Sequence, residues 1–324
     1  MQLVKRIPQF VILALLVISL AACGTSNKAD SNQVSSPAAS NKETAAASSR
    51  TFKHVLGEMT LDKKPTRVFA PYAEDALLVL GMKPVLKWSL GDYVQEYLEP
   101  DLKEVKAIDY TGGPSVEAIL ASAPDLIFLE SPEMASNGNY EKYSRIAPTY
   151  VMQDSEVDWQ AKLRILGDLL DRKNEADKAI ASYNSSAQTA KSKLTKMGGK
   201  TVAVVRVKPK DFMLMDGVHY SGKTLFNDLG LMPHAMVKSL GQESFASISL
   251  EKLPELDADY IFYMIQGAAS EGKAKELFDS HFWKNLPAVK SGHAYLVDNS
   301  YWLAEGFKAN TKQIEDIVKL IGDK

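Results

Sequence analysis

The 324-residue chain carries 38 Lys and Arg against 40 Asp and Glu, for a formal charge of −2, and 45% of its residues are hydrophobic. That near balance excludes the clustered basic footprint of a nucleic-acid-binding protein. Its one cysteine excludes an internal disulfide and a cysteine-ligated cluster.

At the N-terminus Lys5 and Arg6 lead into the apolar run Phe10–Leu20, and Ala21 and Ala22 then precede Cys23. That order predicts a secretory signal peptide over residues 1–22. The run of about eleven apolar residues is too short to cross a bilayer. Loss of Lys5 and Arg6 leaves 36 basic residues against 40 acidic, a charge of −4. The setting of Cys23 resembles the lipobox of bacterial lipoproteins, which implies cleavage before the cysteine and lipidation of its sulfur. Residues 23–50 are small and polar with no aromatic residue, a composition that cannot repay its own ordering, so they read as a flexible tether.

From Arg50 onward about 275 residues remain, enough for two lobes. Thr51–Leu61 alternates around Gly57 and predicts a hairpin. Arg67–Ala70 is a strand, Glu74–Leu80 a helix stopped by Gly81, and Lys83–Trp88 a strand. Val116–Ala121 and Tyr140–Ile146 are helices on either side of the strand Asp125–Leu129, and Thr149–Met152 follows. Short apolar strands alternating with helices predict a mainly parallel sheet covered on both faces. These residues, 51–173, form the expected first lobe.

Residues 158–196 contain no proline and a single glycine, Gly167. Leu163, Leu166, Leu169 and Leu170 have helical spacing, as do Ala176, Ile180, Tyr183, Ala187 and Leu194. Asp171–Asn174 offers a break, so a shorter helix precedes a longer one over residues 174–197, ended by Gly198 and Gly199. About 23 residues of helix reach about 34 Å, long enough to run along two lobes. Residues 198–324 then repeat the alternation. Strands are expected at Thr201–Arg206, Phe212–Met215, Tyr260–Met264 and Ala294–Val297, with helices at Ser221–Leu229 and Asn310–Leu320.

The halves share an internal echo. Ser115 to Phe128 aligns without a gap on Ser249 to Phe262, an offset of 134, with Ser, Glu, Asp, Ile and Phe coinciding. Each copy reads as a Ser N-cap, a first-turn glutamate, a short helix and an Asp entering a buried strand. The fold class is therefore α/β, with two sheet-containing lobes joined by a single long helix and a ligand cleft between them.

Several segments carry a family resemblance: Pro65–Val68, Glu74–Val85, Ser115–Leu120 with Ala123–Phe128, and Ser249–Leu253. With the lipobox and the central helix, the chain from Phe52 to Lys324 resembles a substrate-binding lipoprotein of the iron-siderophore and cobalamin ABC importers. The resemblance implies two lobes on a helical strut that close by a few degrees. It also implies delivery of cargo to a permease driven by an ATPase dimer, and no catalysis. Members present one carboxylate at the tip of each lobe to arginines of the permease. Glu251 matches in the second lobe; in the first, the family glutamate stands just before the helix ending at Gly81, which places it at Glu74 or Asp75.

No catalytic constellation stands out. Gly-x-Ser-x-Gly, His-Glu-x-x-His and a P-loop are all missing, and Tyr220–Thr224 ends like a phosphate loop without its leading glycine. The five histidines show no ligand spacing, so no protein-bound metal is expected, and iron would arrive inside an organic chelator. Such a ligand suits a few cations among aromatic walls. Loops after strands supply Trp88, Tyr93, Tyr110, Tyr220, Tyr301 and Trp302, while Arg145 precedes Pro148. Arg206 ends the first strand of the second lobe, where α/β ligand sites form; a charge within Val202–Val207 needs solvent or an anionic partner.

The expected function is a monomeric lipid-anchored receptor, on the outer surface of a single-membrane bacterium, for a ferric siderophore of hydroxamate or carboxylate type. Cobalamin or haem is the alternative ligand, with His219 or Tyr220 placed as an axial group. A hydrolase and a purely structural lipoprotein are the rivals from other classes.

Overall fold

The computed structural model describes residues 49–153, 158–241 and 243–322. The signal peptide, the lipidation site Cys23 and all but the last two residues of the expected tether lie outside them. Among the described residues, no helix is long and apolar enough to cross a membrane.

The first half opens on a hairpin, β1 (Arg50–His54) and β2 (Gly57–Leu61), paired antiparallel from Arg50↔Leu61 to His54↔Gly57. Alternation sends Met59 and Leu61 into the core and leaves Glu58 and Thr60 in solvent. The hairpin is fastened by Arg50, whose guanidinium donates to the carbonyls of Asp168 and Leu169. Next come β3 (Val68–Phe69), helix α1 (Glu74–Val79), β4 (Lys87–Ser89), β5 (Ala107–Asp109), helix α2 (Val116–Ala121), β6 (Leu126–Leu129) and β7 (Thr149–Val151). Strands β3, β6 and β7 form a parallel sheet in that order, and β4 pairs with β5 in a second parallel sheet. All four residues of β6 are buried: Leu126 and Phe128 enter one core cluster, Ile127 and Leu129 another. A parallel strand covered on both faces reads as such a continuous apolar run. The expected strand from Lys83 is shorter than predicted, because Val85 N is drawn to the Val68 carbonyl before β4 begins.

Two helices follow, α3 (Trp159–Leu169) and α4 (Lys173–Lys193). They break at Asp171, which has φ 53°, and the Arg172 N–H returns to the Gly167 carbonyl. Gly167 permits the crossing: a Cβ there would stand 2.9 Å from Ala176 Cβ. Helix α4 buries Ala176, Ile180, Tyr183, Ala187 and Ala190, steps of three and four residues that keep one face inward. At 1.5 Å per residue its 21 residues extend about 31 Å.

Among its described residues, the second half has one sheet of six strands. They are β8 (Thr201–Val207), β9 (Phe212–Met215), β10 (Met232–Pro233), β11 (Phe245–Ile248), β12 (Tyr260–Ile265) and β13 (Ala294–Leu296). Its order is β11-β9-β8-β12-β13, with β10 pairing the start of β8. β8, β12 and β13 are parallel, whereas β9 runs antiparallel to both of its neighbours, β8 and the edge strand β11. Along β8, Val202 and Val204 enter the core that also holds α3 and α4, while Ala203, Val205 and Val207 face the opposite cluster. Residues 220–228 do not form the regular helix expected. One α-turn, Tyr220–Gly222, runs into a π-helical stretch, Lys223–Asp228, where the Leu229 N–H reaches five residues back to Thr224.

The echo in sequence is an echo in structure. Asp125, entering β6, accepts from Thr66 N and Arg67 N at the start of β3; Asp259, before β12, accepts from Thr201 N at the start of β8. Each aspartate fastens the first residues of the strand beside its own.

The last helix, α5 (Phe307–Ile321), begins three residues earlier than its sequence pattern suggested. Its missing cap comes from the first half: Asp75 accepts from Lys308 N (3.0 Å) and Ala309 N (3.1 Å), and Tyr97 OH donates to it (3.2 Å). These are the second and third amides of the helix, those a local Ser or Asp would take. Gly306 makes room, since a Cβ there would fall 2.5 Å from the Asp75 carboxyl carbon. Helix α5 packs on both α4 and α1, so a second helix lies beside the bridging one.

Candidate ligand-binding site

Two adjoining cavities of about 500 and 520 Å³ open between the halves and share Tyr72, Gln95, Tyr220, Leu303 and Ala304. One is mostly aromatic and apolar; the other is mostly polar. The site begins where β3 and β9 hand the chain to their following helices. There Tyr72 and Tyr220 both adopt left-handed backbone, with φ 67° and 49°. Bulky residues rarely hold that conformation unless the surroundings over-determine it. For Tyr220 the determinant is visible, because its N–H donates to Glu305 Oε1 at 2.7 Å.

The first-half wall is aromatic. Tyr72 lies 4.6 Å from Trp88 and 5.9 Å from Tyr110, ring centre to ring centre, and Trp88 meets Tyr93 edge-on at 5.8 Å. Opposite stand Tyr220 and Phe245, 5.8 Å apart, with the Arg206 guanidinium 5.1 Å from the Phe245 ring centre. Arg206 continues the row Val202–Val204 past the end of the core, so the strand itself delivers it to the cavity. Burial lowers its pKa, against which Tyr220 and Tyr93 pull upward. The same burial raises the pKa of Tyr72, Tyr93 and Tyr220 and keeps their hydroxyls protonated.

The polar cavity is lined by paired groups. Lys162 and Glu130 meet at 2.7 Å; burial alone lowers the Lys162 pKa, and Glu130 beside it more than reverses that. Lys223 stands 3.3 Å from Asp158, and His219 Nδ1 lies 2.5 Å from the fully buried Asp216. Among the described residues, no three His, Cys, Asp or Glu side chains converge as a metal cage.

Of the residues expected at the ligand, Arg206, Trp88, Tyr93 and Tyr220 line the aromatic cavity. Tyr110 meets the Tyr72 ring edge-on and lines neither cavity itself. Three expectations are corrected. Trp302 is fully buried against Phe262, and its indole N–H donates to Asp316; Tyr301 donates to the same carboxylate, and neither lines either of the two cavities. Arg145 sits exposed at the end of the helix Asn139–Ser144, away from both cavities.

The docking expectation for the first half also falls. Glu74 and Asp75 are 1% and 3% exposed; Glu74 Oε1 accepts from Trp88 N at 2.7 Å, and Asp75 caps α5. Neither can present a carboxylate to a partner. Glu251 is exposed, and so is Glu117, its counterpart in the echo. Sequence reasoning passed over Tyr72, Phe245, Gln266 and Asn299. For Tyr72 a signal existed: an aromatic residue after Pro71, at the carboxyl end of a parallel strand.

A family model described as periplasmic binding protein matches residues 72–301. The probable siderophore-binding lipoprotein YfiY of Bacillus subtilis is 31% identical, over 97% of this chain and 97% of its own. The iron(3+)-hydroxamate-binding protein FhuD of the same organism is 29% identical, over 88% and 87%. Among solved structures, Staphylococcus aureus SirA complexed with staphyloferrin B superposes with a TM-score of 0.72 at 26% identity, over 83% of this chain and 97% of that one.

Proposed function

Because the chain belongs to the periplasmic binding protein family, we propose that it captures a ferric siderophore between its lobes and delivers it to an ABC permease, with no chemistry on the cargo. The observation that carries this reading is Arg206. It is a half-buried cation with no carboxylate in ion-pair range among the described residues, set between aromatic walls on a cavity large enough for a chelate. An anionic or strongly accepting ligand oxygen would return the charge stabilisation that burial removes. The iron needs no protein ligand, since the chelator fills its coordination sphere. The names of YfiY and FhuD and the ligand of SirA support the cargo class.

Lipidation at Cys23 and the tether over residues 23–50 would hold the receptor, as a monomer, at the extracytoplasmic face of the membrane. Docking falls to Glu117 and Glu251. Both are exposed, both stand in the first turn after a serine, and for both their own backbone N–H and then the neighbouring serine hold the carboxyl below its usual range. Each is therefore a charged carboxylate on the equivalent corner of its own lobe.

Quenching of the tryptophan fluorescence tests the cargo, because Trp88 lies in the cavity wall. A panel of ferric hydroxamates, ferric citrate, ferric catecholates, cobalamin and haem should show saturable quenching by ferric chelates. Saturation by cobalamin or haem alone would replace the siderophore with a tetrapyrrole.

A further inference from the structure

Strands β8, β12 and β13 are parallel neighbours, so their carboxyl ends arrive at one edge of the sheet. Arg206 is the register partner of Met264, Gln266 follows Ile265, and Asn299 comes three residues after Leu296. All three line the aromatic cavity. Each also brings a buried polar atom without a hydrogen-bond partner: Arg206 Nε, Gln266 Oε1 and Asn299 Oδ1. Buried polar atoms are seldom left unpaired, and three on one wall mark a place prepared for something else.

The backbone that carries them is fixed. Gln266 N donates to the Val207 carbonyl, Ser270 Oγ donates to the Gln266 carbonyl, and Asp298 caps the turn Asn299–Trp302 through Ser300 N. The charges around the two cavities matter as well. Lys162 and Lys223 already have carboxylate partners, and Asp216 holds His219, which leaves Arg206 as the cation unpaired among the described cavity residues. One cation beside two carboxamides is poor provision for a polycarboxylate. It suits a neutral planar group carrying both an acceptor oxygen and an N–H.

We propose that Arg206, Gln266 and Asn299 form a subsite for a secondary amide in an arm of the chelator. Arg206 donates to its oxygen and the carboxamides accept from its N–H. The protein thereby selects amide-bearing ferric chelates over polycarboxylates. This rests on the siderophore reading above and narrows it.

Leucines provide the test, because they keep the approximate size of the two carboxamides and remove their acceptor oxygens. The probes are ferrioxamine B, a hydroxamate chelate with amides in its chain, and ferric citrate, which has none. Wild-type protein should bind ferrioxamine B at least about 100-fold more tightly than ferric citrate. The double change Asn299→Leu with Gln266→Leu should weaken ferrioxamine B about 30-fold and leave ferric citrate, which brings no amide, within about threefold. Thermal unfolding of the variant separates lost binding from lost fold. Three results would overturn the subsite: leucines that leave ferrioxamine B unaffected or weaken both chelates alike, ferric citrate bound as tightly as ferrioxamine B, or ferric citrate bound while ferrioxamine B is not. Failure of every ferric chelate to bind wild-type protein would instead remove the functional reading on which the subsite rests.

Discussion

Glu74 shows how far a single residue can depart from its appearance in sequence. As an acid opening a helix it reads as an exposed first-turn charge, yet the fold buries it beneath Tyr72 and Trp88 with Oε2 unpartnered. Burial is the largest cause that pushes its pKa up, to about 7, while the Trp88 N–H pulls the other way. A carboxyl whose folded pKa exceeds its unfolded value stabilises the fold while protonated. Stability from Glu74 is therefore complete below about pH 4.5 and is lost as pH rises through about 7. The span corresponds to a few kcal/mol. Glu74→Gln keeps an acceptor for Trp88 N without the charge, so it should stabilise the protein above pH 7 and flatten the profile between pH 4.5 and 7. Urea unfolding at a series of pH values reads both, and parallel profiles for the two proteins would show that Glu74 titrates normally. Arg206, by contrast, was legible from sequence, because a charge in an apolar strand has few places to go.

Among the elements, strands such as β8 and the long helix α4 were legible because their burial follows their own periodicity, whereas the short strands β5, β10 and β11, of two to four residues, carry no such pattern and were not predicted. Helix α5 was misjudged at its start because its cap comes from Asp75, 233 residues earlier in the chain. No local signal at Gly306–Ala309 announces that carboxylate. The π-helical stretch after Tyr220 was hidden for a similar reason: Thr224 Oγ1 is satisfied by Gln313 of α5 rather than locally. Because Asp75 joins α1 to α5, its loss should be felt through the whole fold. Asp75→Ala leaves two amides of α5 without their acceptor and should cost about 2 kcal/mol in urea unfolding. An unchanged midpoint would mean that the cap contributes nothing. Gly306→Ala should destabilise too, by driving a methyl group into the same carboxylate.

For the molecule as a whole, the two-lobe plan was readable from the echo between Ser115–Phe128 and Ser249–Phe262, because each copy repeats a complete piece of strand-fastening chemistry. The same echo points to Glu117, whereas the spacing to Gly81 points to the buried pair Glu74 and Asp75. Ala at both Glu117 and Glu251 should leave siderophore affinity in the purified protein unchanged while uptake by cells falls sharply, since a charged interface pair commonly loses about 2–5 kcal/mol when one partner is truncated. Normal uptake by the double variant would exclude these two carboxylates as the docking points. The proposed function rests on the cleft holding the cargo through Arg206. Titration of wild type and Arg206→Ala with the ferric chelate that quenches most strongly is its most direct test. The variant should bind at least about 30-fold more weakly at unchanged thermal stability; equal affinity in the two proteins would contradict a cargo held through Arg206.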